Sequence, residues 1–159
     1  MSADTKELTV HRTILVAASQ ERAFSVFTQG MTSWWPASHH IAKVDLERIV
    51  VEPKAGGRWY ERGVDGSECE WGRVLVWEPN GRVTFAWHLD GEWVYRPDPA
   101  TSSEVEIRFV PKGPKETSVE LTHRFIERHA NATSVFDGVG SPEGWNGLLE
   151  LFRRTAETQ

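Results

Sequence analysis

Between Val44 and Phe125, apolar residues return at every second position, the period of antiparallel strands that bury one face. Clusters of Gly, Pro, Asn and Asp divide this stretch into six predicted strands, residues 44–52, 57–64, 67–77, 82–89, 104–110 and 117–126. A seventh strand, residues 8–16, is rich in Val, Ile and Thr and stands ahead of them. The spacing changes after Ala18. Ser19 is placed as an N-cap for Ala23, Phe24, Val26 and Phe27, which share a helical face, and Gly30 ends a helix of about ten residues. Residues 31–36 make a further turn, carrying Trp34 and Trp35 and closed by Pro36. Residues 38–43, 90–103 and 129–142 read as loops, the second holding Trp93 and Tyr95. Ser141 and Pro142 then open a last helix in which Trp145, Leu148, Leu149 and Phe152 fall on one face.

Turn chemistry sets the expected register. A two-residue turn at Asp65 and Gly66 places Val64 opposite Ser67, hence Trp59 opposite Gly72 and Tyr60 opposite Trp71. A second turn at residues 79–81 puts Val74, Val76, Val83, Phe85 and Trp87 on the face of Trp59 and Glu61. The other face then carries Tyr60, Trp71, Arg73, Leu75, Trp77 and His88. In the later strands Val105, Ile107, Phe109, Val119, Leu121, His123 and Phe125 point inward, alternating with Glu and Arg.

These elements predict an α+β fold: a seven-stranded curved antiparallel sheet wrapped around a long C-terminal helix, with two short helices between strands one and two. One domain, residues 8–157, accounts for the chain, and residues 1–7 form a flexible N-terminus. Such a sheet leaves an apolar hollow beside its single helix, and eight tryptophans are available to line it. The candidate lining is Trp34, Trp35, Trp59, Val74, Phe85, Trp87, Ile107, Leu121, Trp145 and Leu149, with Glu61 and His123 as its polar members. Those two are the candidate catalytic groups, a proton-transfer pair across the hollow; the alternative is a histidine hydrogen-bonded in the core and a carboxylate paired with arginine or at the rim.

The remaining chemistry narrows the field. Asp and Glu total 23 against 18 Lys and Arg, which speaks against a nucleic-acid partner. Cys69 stands alone, and the N-terminal segment has no apolar run, so no disulfide, membrane insertion or secretion is signalled and the expected location is the cytoplasm. Cys69 reads as an inert strand residue with Arg62 opposed to it. His39 and His40 near Asp45 lack the spacing of metal ligands, so neither a metal nor a cofactor is expected. The outer set of Tyr60, Trp71 and Trp77, with Arg73 and His88, has the composition of an association surface and points to a homodimer, unless Trp93 and Tyr95 fold back over it.

Several strings carry a family likeness: residues 53–61 (PKAGGRWYE), 69–79 (CEWGRVLVWEP), 83–87 (VTFAW), 119–123 (VELTH), and Gly144 with Trp145. With the order of elements, they resemble the START-like or Bet v 1-like superfamily (SRPBCC), in the branch named for the C-terminal domain of the Hsp90 ATPase activator. That resemblance implies a helix-grip fold and a module holding a small apolar or aromatic ligand between sheet and C-terminal helix. It implies two alternatives as well. One is a cyclase, lyase or hydrolase-like enzyme using Glu61 and His123 on an aromatic or polyketide-type substrate. The other is a chaperone-interacting domain, against which the absence of room for the activator's separate docking domain counts.

Overall fold

A computed structural model describes residues 7–158, so residues 1–6 of the expected flexible N-terminus lie outside the described residues. The chain runs β1 (Val10–Val16), α1 (Gln20–Thr28), a 3₁₀ turn (Met31–Ser33), β2 (Leu46–Val51), β3 (Arg58–Gly63), β4 (Glu68–Glu78), β5 (Arg82–Trp87), β6 (Ser103–Gly113), β7 (Glu116–Arg124), α2 (Ala132–Val139) and α3 (Gly147–Glu157). All seven strands form one antiparallel sheet in the order β1-β7-β6-β5-β4-β3-β2. This is the α+β helix-grip fold. Ser19 caps α1 as its type and place demand, its hydroxyl accepting from the Arg22 N–H at 3.2 Å. Leu148, Leu149, Phe152 and Ala156 bury one face of α3, and Phe152 meets Phe27 of α1 edge-on with ring centres 5.1 Å apart.

Two hairpins differ from the expected register, and both differences turn a tryptophan around. The first is a three-residue loop in which the Gly63 N–H bonds the Ser67 carbonyl at 2.8 Å and Gly66 takes φ +86°. Tyr60 therefore pairs with Glu70, Glu61 with Cys69, and Trp71 becomes the extra residue of a β-bulge beyond which Trp59 does pair with Gly72. Trp71 consequently faces inward. The second loop, residues 79–81, is also three residues long, with Asn80 at φ +70°. Here Leu75 is the extra residue, Val76 pairs with Thr84 on the outer side, and Trp77 pairs with Val83 on the inner side, its ring centre 5.1 Å from that of Phe24.

Three further corrections concern ends and loops. Residues 129–142 are not all loop. Val135 and Val139 stand four apart and are buried, and that packing outweighs the cost of Gly138 inside α2, which ends at its C-cap Gly140. Ser141 does not cap a helix with its side chain; its hydroxyl donates to the Gly138 carbonyl at 2.7 Å. Residues Pro142–Asn146 form a single π-type turn kinked at Gly144, so α3 starts at Gly147. Phe125 leaves the sheet at φ +63° and lies under the Arg128 guanidinium, 4.1 Å from its ring centre.

Candidate functional site

Five indoles converge near the β2–β5 side of the sheet and enclose a cavity of about 340 Å³. Trp71 and Trp87 come from β4 and β5, Trp35 from the turn after α1, Trp145 from the turn before α3, and Trp93 from the loop after β5. The Trp35 and Trp71 ring centres stand 5.1 Å apart, those of Trp87 and Trp145 5.9 Å, and those of Trp87 and Trp93 6.3 Å. Four of the five indole N–H groups are already engaged: Trp35 with the His39 carbonyl (2.8 Å), Trp71 with Glu61 Oε1 (2.8 Å), Trp87 with the Leu89 carbonyl (3.0 Å) and Trp145 with His123 Nδ1 (3.1 Å). What these four offer the cavity is ring carbon. Ser38, His39 and His40 form its polar margin with Ser141 and Glu143, and Ile41, Val139 and Leu148 add apolar wall.

Trp93 sits at the mouth, half exposed and at φ +61°. Buried Asp90 holds that loop by accepting from the N–H groups of Glu92 (2.8 Å) and Val94 (3.1 Å) and from Arg96 Nε (2.8 Å). Burial pushes the Asp90 carboxyl up, and these hydrogen bonds, Arg96 foremost, outweigh it and keep the group below its ordinary value.

Glu61 and His123 are both fully buried, and neither faces the other. Glu61 Oε1 accepts from the Ile41 N–H at 2.6 Å and from Trp71, Oε2 accepts from the Ala42 N–H at 3.1 Å, and His40 Nδ1 lies 3.9 Å from Oε2. His123 lies behind Trp145, with Nε2 2.7 Å from Ser103 Oγ, which is also 2.7 Å from His129 Nε2. Burial pushes His123 down to about 3 and His129 down to about 4, Asp90 partly opposing the second shift. The expected proton-transfer pair is therefore not formed. The register that sets Glu61 beside Cys69 aims its carboxylate at the 38–43 loop, away from β7.

Of the other expected lining residues, Trp35, Trp87 and Trp145 reach the cavity. Trp59 lies underneath, its ring 5.4 Å from Trp71 and 4.4 Å from Phe85. Trp34 packs against Phe27 and Phe152, with its N–H on the Val26 carbonyl at 2.9 Å. Val74, Phe85, Ile107, Leu121 and Leu149 are core. Trp71, Trp93, Leu89 and the 38–41 segment were not anticipated as lining. The abundance of tryptophan was their one signal, since their approach depends on bulges and loop paths.

The homodimer face loses its basis, because Trp71 and Trp77 turn inward. Tyr60 stays outside under the Arg58 guanidinium, 3.9 Å from its ring centre, and Tyr95 covers His88 at 5.5 Å. Cys69 is opposed by Glu61 rather than Arg62, and burial, then Glu61, raise its thiol above the ordinary value. Among the described residues no three His, Cys, Asp or Glu side chains converge as a metal site, and no helix is long and apolar enough to cross a membrane.

A curved sheet gripping a C-terminal helix beside a tryptophan-walled hollow defines a START-like, Bet v 1-like domain. The chain belongs to the family described as activator of Hsp90 ATPase homolog 1-like protein, which matches residues 17–157. Similar solved structures include an anthrahydroquino-gamma-pyrone synthase, Txn09, 39% identical with a TM-score of 0.65 over 92% of this chain and 95% of that one. CalC, a self-sacrificing resistance protein from Micromonospora echinospora, is 30% identical with a TM-score of 0.70 over 93% of each chain. CalU16 from the same organism, at 19% identity and a TM-score of 0.59 over 95% of this chain and 76% of that one, shares the fold. A search of curated proteins finds no match.

Proposed function

We propose that this protein binds a planar, polycyclic aromatic molecule in the cavity between Trp35, Trp71, Trp87, Trp93 and Trp145. The observation that carries the reading is the engagement of four indole N–H groups by the protein itself, which leaves flat carbon faces around about 340 Å³ of space. Ligand pockets start at roughly 300 Å³, and each aromatic contact adds about 0.5–1.5 kcal/mol beyond area burial. A flat ring system gains from several such walls at once; a flexible fatty chain gains less and loses more rotamer freedom. The 39% identity to a synthase named for an aromatic pyrone product supports the same ligand class.

Titration with an anthraquinone, followed by intrinsic fluorescence, tests the reading. Saturable quenching at one ligand per chain is expected, with a saturated fatty acid of similar mass much weaker. Equal or absent quenching by both would count against the aromatic cleft. A second reading, an enzyme that transforms such a ligand, is favoured by the same relative; mass spectrometry of the ligand after incubation separates the two.

A further inference from the structure

His40 lines the cavity, yet its Nδ1 is buried and has no hydrogen-bond partner among the described residues. Glu61 Oε2 lies 3.9 Å from it, on a carboxylate with no solvent access. Glu61 cannot move to meet it, because the Ile41 and Ala42 N–H groups and the Trp71 indole pin both oxygens. His40 sits in the loop before β2, its side chain about one-fifth exposed, and a displacement of roughly 1 Å would bring Nδ1–H to the 2.7–2.9 Å of a charge-assisted bond. Contacts of this kind are often long in the unliganded protein and tighten when the site fills.

Its neighbour is engaged differently. His39 Nδ1 lies 3.1 Å from Ser38 Oγ and Nε2 lies 3.3 Å from the Glu143 carbonyl, so both nitrogens have partners. Glu143 stands at the cavity margin, and Cys69, paired in register with Glu61, has its thiol raised by burial and by that carboxylate.

We infer that His40 is a general base toward a phenolic or enolic hydroxyl of the bound aromatic, with Glu61 as its positioning residue. Nδ1–H donates to Glu61 Oε2, which leaves the Nε2 lone pair free. The ligand O–H bond breaks, its proton forms the Nε2–H bond, and the products are a phenolate and an imidazolium whose charge the Glu61 carboxylate balances. The inference rests on the aromatic-ligand reading and adds to it a hydroxyl on that ligand.

Quinizarin, a dihydroxyanthraquinone that turns from orange to violet as it ionises, reports the transfer directly. With the dye saturating each protein, so that affinity does not enter, the midpoint of its colour change is measured against pH. In the wild type it should lie about one unit or more below the midpoint in His40→Gln, tenfold in the ionisation constant, with Glu61→Gln shifted toward His40→Gln. Ring nitrogen shifts of His40 in the wild-type complex give the same information without a substitution: the dye should convert the ring to imidazolium. Coincident midpoints in the wild type and His40→Gln, or a neutral His40 ring beside ionised dye, overturn the inference. A dye that fails to quench the wild-type indoles removes the aromatic-ligand reading itself, a separate outcome.

Discussion

Trp145 Nε1 donates to His123 Nδ1 at 3.1 Å, and that bond fixes the state of a buried chain of side chains. An indole N–H only donates, so Nδ1 is the bare nitrogen and the proton of the neutral imidazole is on Nε2. Nε2–H then donates to Ser103 Oγ, whose own proton passes to His129 Nε2. Each link has one direction only. The chain holds the Trp145 ring edge from behind, so its face can serve as a cavity wall.

The same burial makes folding depend on acid. His123 and His129 titrate at about 3 and about 4 in the folded protein and near 6.5 when unfolded. Below that unfolded value the unfolded chain binds more protons, so the stability present above about pH 6.5 is lost progressively as pH falls toward the folded values. At about pH 5 the loss is about 2 kcal/mol for each histidine. Urea unfolding at about pH 7.5 and 5 measures it. His123→Gln, which keeps an acceptor for Trp145 and a donor for Ser103 but does not titrate, should remove about half of the difference; an unaltered difference would contradict the burial of a neutral imidazole.

Glu61 ties the 38–43 loop to the sheet. In Glu61→Gln one oxygen becomes an NH₂ group and meets an N–H donor, either Ala42 or the Ile41 and Trp71 pair. Leaving such a donor unsatisfied costs about 1–3 kcal/mol. Hydrogen exchange should be faster at the Ile41 and Ala42 amides and little changed in β6 and β7; protection retained at both amides would show that the carboxylate does not hold the loop.

Gly72 of β4 pairs with Trp87 of β5. A Cβ on this residue would stand 1.7 Å from the Ala86 carbonyl oxygen, a backbone atom that cannot step aside without parting the strands. Gly72→Ala should cost more than about 3 kcal/mol, seen as loss of soluble protein or a much lower urea midpoint. A variant with wild-type stability would mean that β4 and β5 can part at Ala86 without harm.

Much of the fold was legible because burial repeats with the period of the element: the Ile107 and Leu121 strands alternate cleanly, and Ser19 caps α1 as expected. The face of Trp71 and Trp77 was not. A three-residue loop and a two-residue turn use the same Asp-Gly and Asn-Gly residues, and the bulges at Trp71 and Leu75 leave no mark in an apolar run. Offsetting shifts kept Trp59 opposite Gly72 while turning Trp71 over, so one pairing was right and its neighbour wrong. Glu61 was singled out as a buried carboxylate in need of a partner, but the partner came from a loop twenty residues earlier, a contact that periodicity does not encode. The α2 helix was hidden by glycines whose cost is met by burying Val135 and Val139.

Gly138 offers a way to fill the cavity from a helix rather than from its own tryptophans. It lines the space from α2, and a Cβ there would lie 3.6 Å from a Trp93 ring carbon, an ordinary contact distance. Gly138→Ala should therefore fit and stabilise α2 by up to about 1 kcal/mol, a rise of roughly 2–4 °C in Tm. Gly138→Leu places a branched side chain against Trp93 and into the space a flat ring would occupy. Anthraquinone affinity should fall at least tenfold in this variant, about 1.4 kcal/mol, while thermal unfolding stays close to that of Gly138→Ala. Full affinity with Leu at this position would place the ligand away from the Trp93 wall that Gly138 faces.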